Sequence, residues 1–333
     1  MPPRKGKPAD KAVKVVQQGD AVVPASKLPP WLRFPLLVLS SLTLSSLLYS
    51  IAAKYTAGDL ASVSRRLDQW WEVGALLGWR TFELGLGWFG NYDGYDLAAL
   101  SLLSHGPPLY LLGTFYNVRP ATVISSLLID TLTTYVPFRL LRPLSLAHSA
   151  SSSQRSVAIA NKDIVTDYTI QSFTTILAAT IYSVTLYTAY VTYLPVYLVT
   201  YFEGIPSVAA THSATPIALL PLTLLFGLAA KSFIFTPAVA ASPSLADAKA
   251  AAFNPATATL SETFWYNVWG FSPKTKVVIK RTLALVLVSG INTFVQTFVT
   301  VEGVEAIGAV AYSAIWSTAA AITGAALGVV GSV

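Results

Sequence analysis

The sequence has no cysteine, little charge and no glycosylation signal. Only 11% of its 333 residues are charged, against about 25% in a typical soluble domain. Without cysteine, disulfides, thiolate metal ligands and cysteine nucleophiles are excluded. No Asn-x-Ser/Thr sequon occurs, so glycosylation gives no information about sidedness. The whole sequence is 53% hydrophobic with a mean hydropathy of +0.57, which predicts an integral membrane protein.

Catalytic and metal-binding motifs are missing as well. We find no phosphate-binding glycine loop after a strand, no G-x-S-x-G elbow and no H-E-x-x-H pair. The histidines, His105, His148 and His212, lie in separate segments without metal-ligand spacing. The sequence therefore predicts no catalytic residue, no metal and no cofactor. It indicates no known family. An enzyme is the least favoured class of protein.

Long apolar segments predict an all-α fold, a polytopic transmembrane helix bundle of about six spans, possibly eight. The longest, residues 164–202, contains a single charge and far exceeds the roughly 20 apolar residues that a bilayer crossing needs. We expect it to cross at 164–190 and to bend near Pro195. The six predicted spans are 34–53, 121–138, 164–190, 216–236, 277–300 and 306–330.

The distribution of basic residues predicts the topology. Residues 1–33 hold seven Lys or Arg and two Asp, and we interpret them as a disordered basic cytoplasmic tail. Residues 34–333 form a single transmembrane domain. The loop from Arg139 to Asp163 is also basic, so both termini are expected to face the cytoplasm. An endoplasmic reticulum or related intracellular membrane is favoured, and a mitochondrial one stays open. The net charge of +6 indicates lipid headgroups, and not nucleic acid, as the partner.

Segment 70–90 is the first of two ambiguous segments. It combines tryptophans with the charges of Glu72, Arg80 and Glu83. Indole rings favour the headgroup region and intramembrane charges are costly, so we predict an interfacial amphipathic helix.

Segment 96–117 is the second ambiguous segment. It contains two short apolar runs on either side of His105–Pro108. Because proline ends helices, this pattern predicts a re-entrant hairpin or one broken span, and we prefer the hairpin. Since the flanking loops have fixed sides, both ambiguous segments cross or neither does. Six spans are preferred because eight would bury three charges.

Three predicted spans carry stripes of polar residues. Asp130 lies near the centre of span 121–138, where an acid suggests either an ion or proton relay or a carboxyl hydrogen-bonded between helices. The stripes either join helices or line a hydrophilic cavity, and the first use is the commoner one. The candidate intramembrane polar site consists of Ser126, Asp130, Thr133, Thr134, Gln171, Tyr182, Asn292 and Gln296.

Two further features suggest contacts, either between helices of the bundle or with its surroundings. Ala320, Gly324 and Gly328 form a ridge of small residues in the last span, which permits close packing within the bundle, homodimerisation or docking on a partner. The aromatic cluster at 264–271 precedes Lys274 and Lys276, which is typical of a segment lying on the cytoplasmic leaflet.

These observations favour a non-enzymatic structural, assembly or scaffold component of an intracellular membrane complex. Its predicted partners are the lipid bilayer and a membrane protein or second copy bound through the last helix. The alternative is a transporter or channel for a small solute or ion that uses a polar cavity around Asp130.

Overall fold

The computed structural model describes residues 29–145, 147–148, 161–244, 247–248, 250, 252–255 and 257–332. This part of the chain is helical and contains no β-strand. Most of the predicted basic tail, up to residue 28, lies outside the described residues. The first helix already begins at Pro30. Proline suits the first turn because the amides there have no partner within the helix, and proline has no amide hydrogen.

The helices are numbered α1 to α12 along the described chain, and two of them, α9 and α11, include a π-helical turn. They are α1 (Pro30–Ala61), α2 (Trp70–Phe89), α3 (Gly94–Phe115), α4 (Pro120–Leu141), α5 (Lys162–Thr166), α6 (Tyr168–Thr192), α7 (Leu194–Tyr201), α8 (Ala209–Ser213), α9 (Pro216–Val239), α10 (Leu260–Trp269), α11 (Pro273–Thr300) and α12 (Ala306–Ser332).

Six of these helices are long and apolar enough to span a membrane, and they correspond to the six predicted spans. They are α1, α4, α6, α9, α11 and α12. The prediction of an all-α polytopic helix bundle is confirmed.

Contacts between helix ends define the two ends of the bundle. We call the end that holds the first residues of α1 and the last of α12 the terminal end, and the opposite one the far end. At the far end, the Arg65 amide donates to the Thr300 carbonyl (2.8 Å). At the terminal end, the Arg142 guanidinium donates to the Trp88 carbonyl (2.7 Å). Helix α2 therefore begins at the far end and finishes at the terminal end.

Helix α3 runs the length of the bundle in the opposite direction. Near its start, Asp96 binds Arg281 in the first half of α11. Just past its last residue, the Tyr116 hydroxyl donates to the Glu203 carbonyl at the far end (3.2 Å). Eight described helices thus traverse the bundle, which corresponds to the eight-span alternative.

The expected interfacial position of 70–90 is therefore wrong. Helix α2 passes alongside α1, α4 and α11, and its charges have partners inside the protein. Glu72 is 2% exposed and pairs with Arg65 (3.2 Å). Pairing and hydrogen bonding offset much of the cost of placing charges in an apolar environment. The three charges that argued against a crossing are thus accommodated.

The expected break at His105–Pro108 is also wrong, because α3 continues through Pro107 and Pro108. Segment 96–117 therefore forms neither a re-entrant hairpin nor a broken span. Proline has no amide hydrogen, so these two residues leave the carbonyls of Leu103 and Ser104, four positions earlier, without helical donors. Side chains of α11 supply the donors. The Ser289 hydroxyl donates to the Leu103 carbonyl (3.0 Å).

The second carbonyl is satisfied in the same way, since the Asn292 amide donates to the Ser104 carbonyl (2.8 Å). A third donor comes from α12, where the Tyr312 hydroxyl donates to the Pro107 carbonyl (2.7 Å). A proline-containing helix is tolerated in an apolar environment when its neighbours satisfy the freed backbone groups. Helix α3 accordingly occupies the centre of the bundle, with 14 of its 22 residues buried.

Candidate functional site: a buried polar network

Polar side chains from α1, α2, α3, α4 and α11 meet midway along the bundle. We call this group the central polar network. Its members are Tyr49, Trp79, Arg80, Glu83, Ser101, Ser104, His105, Asp130, Thr133, Thr134 and Asn292.

Asp130 joins α4 to α1 and α3. Its carboxylate accepts a hydrogen bond from the Tyr49 hydroxyl (2.9 Å). Its backbone carbonyl accepts from the Ser101 hydroxyl of α3 (3.2 Å) and from the Thr134 hydroxyl of its own helix (2.9 Å). The acid predicted from sequence is thus half-buried in a three-helix contact, an arrangement that joins helices in lipid.

Arg80 places a positive charge beside this contact. Its guanidinium donates to the hydroxyls of Thr134 (2.7 Å) and Thr133 (3.1 Å) on α4. It also pairs with Glu83 one turn along α2 (3.4 Å). The Nε2 atom of His105, on α3, lies 4.0 Å from the same Glu83 carboxylate. Charge on α2 is therefore balanced locally, by neighbours on three helices.

Asn292 connects α11 to both α2 and α3. Its side-chain amide donates to the Ser104 carbonyl, and its side-chain oxygen accepts from the Trp79 indole (2.9 Å). Asn292 is fully buried, so both halves of its amide are used. The polar stripe of α11 therefore acts as a hydrogen-bonding partner for a proline-interrupted helix.

The network encloses little empty space. A cavity of about 10 Å³ is lined by Arg80, Glu83, His105, Thr134 and neighbouring residues of α3. That volume is about the minimum that holds one water molecule. One carboxylate oxygen of Glu83 lies buried with no hydrogen-bond partner in the protein, which is the kind of atom an internal water satisfies. A cavity this small offers no room for a solute larger than water.

The structure brings together part of the predicted polar site. Asp130, Thr133, Thr134 and Asn292 belong to the central polar network, and Ser126 is buried one turn before Asp130 on α4.

Three other predicted residues lie elsewhere. Gln171 donates to the Val165 carbonyl and accepts from Lys231 (3.2 Å) near the terminal end. Tyr182 packs among aromatic rings, 5.5 Å from Phe226. Gln296 is half-buried where the π-helical turn of α11 begins.

The residues that sequence reasoning missed are those of α2 and α3. Arg80 and Glu83 qualify as ionisable partners of Asp130 only in the eight-span arrangement, which was the less favoured one, and His105 was interpreted as part of a turn. A signal was available in the sequence. Arg80 and Glu83 stand three positions apart, which allows them to pair on one helical face and lowers the cost of burial.

A second polar group lies at the terminal end, and we call it the terminal ion cluster. It consists of Asp93, Asp96, Arg142, His148 and Arg281. Both oxygens of the fully buried Asp96 carboxylate bind the Arg281 guanidinium, at 2.5 and 2.9 Å. The pair joins the first turn of α3 to α11. A two-point arginine–carboxylate contact of this kind fixes orientation as well as distance.

Asp93 begins α3 and holds the loop that follows α4. Its side chain caps the helix by accepting from the Asp96 amide (2.9 Å). It also accepts from the Ser145 amide (2.8 Å) and from the His148 ring (2.8 Å). Burial alone would raise the pKa of Asp93, but the contacts with His148 and with these amides hold the pKa well below its usual value.

The pKa of His148 shifts in the opposite direction, upward. Burial lowers the pKa of the imidazole, but the hydrogen bond to Asp93 and the nearby Asp96 carboxylate outweigh burial and raise this pKa above 6.5. The two shifts have the same origin, the contact between His148 and Asp93 that attaches the loop to the start of α3.

Asp93, Asp96 and His148 are also close enough to ligate a metal ion, with their ligand atoms within 4.8 Å of one another. The chemistry of the group does not favour a metal. Both Asp96 oxygens bind Arg281, and the His148 ring is hydrogen-bonded to the Asp93 carboxylate. A cation would have to displace one of these partners. Sequence reasoning missed the group because 52 residues separate Asp96 from His148.

The small-residue ridge of α12 packs within the chain. Ala320 and Gly324 are buried, and a Cβ atom at Gly324 would collide with the Thr282 side chain of α11. A Cβ at Gly328 would lie 3.1 Å from Val278 of the same helix. The ridge is therefore occupied by α11, so the expected partner or second copy cannot bind there.

The fold and the network together define a polytopic helix bundle whose buried polar groups pair mainly with one another. Residues 167–330 match a family model described as the Bouquet formation protein 3 C-terminal domain. The matched range begins at the residue that caps α6 and ends within α12. Searches of curated proteins and of solved structures find no match. The family match and the span-like helices fit a structural membrane component.

Proposed function

We propose that this protein is a non-enzymatic structural component of an intracellular membrane, where it assembles with other membrane proteins. The observation that carries the proposal is the central polar network. Its charged and polar groups bind each other and backbone carbonyls, and the space among them holds about one water. Such a network stabilises a bundle and leaves room for little more than one water molecule among its polar groups.

The similarity of residues 167–330 to the Bouquet formation protein 3 C-terminal domain supports the same function. The name of that family refers to the formation of a bouquet and not to a chemical reaction. By extension, we propose that this chain contributes to a membrane-associated assembly. The partner-binding surface lies outside the Ala320–Gly328 ridge, because α11 covers that ridge.

For location, we propose an endoplasmic reticulum membrane or one continuous with it, with both termini in the cytoplasm. The charge distribution supports this orientation. The terminal end carries Arg139, Arg142, Lys274, Lys276 and Lys280, and six more Lys or Arg occur in residues 1–28 of the sequence. Basic residues beside transmembrane segments are enriched on the cytoplasmic side.

The test is purification of the full chain from native membranes in a mild detergent, followed by identification of co-purifying proteins. We expect stoichiometric membrane protein partners that an unrelated multi-pass protein, purified in parallel, does not retain. An Asp130→Asn variant should keep these partners, because the amide can still accept from Tyr49. A chain that purifies alone, under conditions in which it stays folded, would contradict the proposal.

The transporter alternative predicts a different result. In that case the protein, reconstituted in vesicles, would carry a solute or ion across the bilayer, and Asp130→Asn would reduce the flux. We expect no flux that depends on Asp130, because the cavity beside the network is only about 10 Å³. Flux that disappears in the variant would favour the alternative.

A further inference from the structure

A helix that packs on its own protein buries its apolar face, whereas helix α10 leaves that face exposed. None of its residues is buried. Its large apolar side chains share one side, because positions 260, 264, 265 and 268 fall within a single arc at 100° per residue. Leu260 is 88% exposed, Trp265 62% and Phe264 58%. An exposed apolar face of this size, which Ser261 interrupts, is unusual on a surface in contact with water.

The polar side of α10 is the side that contacts the chain. Tyr266 stacks flat against Phe253 of the preceding loop, with ring centroids 4.0 Å apart and an interplanar angle of 8°. At the start of the helix, Thr259 and Glu262 form a reciprocal capping box. The helix is therefore fixed by its polar half and its first turn, while its apolar half points away from the described protein.

The position of α10 along the chain places it at the terminal end of the bundle. Only three residues separate Trp269, its last residue, from Pro273, where the span-like helix α11 begins. Phe271 packs edge-on against Trp269 (6.3 Å), and the Lys280 ammonium lies 5.9 Å above the same indole. Aromatic rings next to lysines are characteristic of the boundary between hydrocarbon and headgroups.

We propose that α10 lies on the bilayer surface at the terminal end, with its apolar face inserted into the leaflet. The side chains of Lys274 and Lys280 then contact anionic headgroups, which supplies the charge complementarity that such helices use. Continuity with α11 supports a lipid occupant over a protein one, because a helix attached within one turn to a membrane span already lies at headgroup depth. The inference does not depend on the proposed function.

The absence of cysteine makes a direct experiment possible. Single cysteines replace Phe264 or Trp265 on the apolar face and Glu262 on the polar face, each in the full chain. Each variant carries a nitroxide spin label in nanodiscs of phosphatidylcholine, with or without phosphatidylserine. Collision with oxygen reports lipid exposure, and collision with a water-soluble nickel complex reports water exposure.

We expect labels at 264 and 265 to collide with oxygen and to be shielded from nickel, and a label at 262 to show the reverse. Phosphatidylserine should deepen the label at 264, and Lys274→Gln combined with Lys280→Gln should abolish that shift. Equal nickel accessibility on both faces would overturn the proposal, since the helix would lie in water. Shielding of position 264 from both reagents would also overturn it, since protein would then cover the face.

Discussion

Helices α3 and α10 show that hydrophobicity alone does not decide which segments are buried. Helix α3 contains an acid, a histidine and two consecutive prolines, and it lies at the centre of the bundle with 14 residues buried. Helix α10 is rich in aromatic and aliphatic residues and buries none. The difference lies in the partners. Every polar group of α3 that is described above has a neighbour to bind, whereas no neighbour in the described chain covers the apolar face of α10.

The comparison of α3 with α10 predicts the largest loss of stability for a change at the terminal end of α3. Replacing Asp96 by Asn leaves Arg281 buried without a counter-charge, which should lower the free energy of unfolding by about 3–5 kcal/mol. Equilibrium unfolding in mixed micelles with increasing dodecyl sulfate measures this change. The control is Asp59→Asn, which breaks an exposed pair with Arg119 and should cost only a small fraction as much. Equal costs for the two variants would contradict the account.

A smaller loss is expected midway along α3. Replacing Asn292 by Ala leaves the Ser104 carbonyl and the Trp79 indole unpaired, at a cost of about 1–3 kcal/mol. Pro108→Ala restores a backbone amide that can reach the Ser104 carbonyl. In that background Asn292→Ala should therefore cost less, by about 0.5–1.5 kcal/mol.

The matched control for this cycle is Pro107→Ala. It supplies an amide to the Leu103 carbonyl, which Ser289 serves, and so it should leave the cost of Asn292→Ala unchanged. The same micelle unfolding experiment measures the six proteins of the two cycles, namely the native chain, the three single variants and the two double variants. If both proline variants, or neither, reduce the cost of Asn292→Ala, Asn292 does not act by replacing the missing amide.

The attachment of the loop at 145–148 to α3 should depend on pH. The pKa of His148 is raised above 6.5 in the folded state, so its contribution is fully present below about 6.5 and is lost as pH rises through the raised value. Stability should therefore decrease from mildly acidic to alkaline pH by less than the two effects above. His148→Gln should flatten this dependence, and an unchanged slope in the variant would assign it to other groups.

The smallest effect is expected in α10. Phe264→Ser and Trp265→Ser should change the free energy of unfolding in micelles by less than about 0.5 kcal/mol, because neither side chain is buried. Leu100→Ala in α3, where the side chain is 2% exposed, should cost about 2–5 kcal/mol. A loss at Phe264 as large as that at Leu100 would mean that α10 packs into the fold.

Sequence reasoning was sufficient for the six apolar helices and for the class of fold. Their length and composition satisfy the physical requirement of a bilayer crossing without reference to other segments. The hydrogen-bonding role of the polar stripes was also predictable in part. Asp130 and Asn292 do join helices, as hydroxyl and amide groups in lipid often do.

The positions of α2 and α3 could not be predicted from local properties. The cost of burying Arg80 depends on Thr133 and Thr134, more than fifty residues away in the sequence. The tolerance of Pro108 depends on Asn292, which is still more distant. A local rule counts the penalty of a charge or a proline but not the distant group that offsets it, so it placed both segments outside the bundle.

The central claim is that α2 and α3 traverse the bundle as two complete helices. Single cysteines at Asp68, before α2, and at Asn91, between α2 and α3, test it in the otherwise cysteine-free chain. Both positions are exposed, so a membrane-impermeant thiol reagent can reach them in sealed vesicles of known orientation. The account predicts that position 91 is labelled from the same side as the amino terminus and position 68 from the opposite side. Labelling of both positions from one side would contradict it.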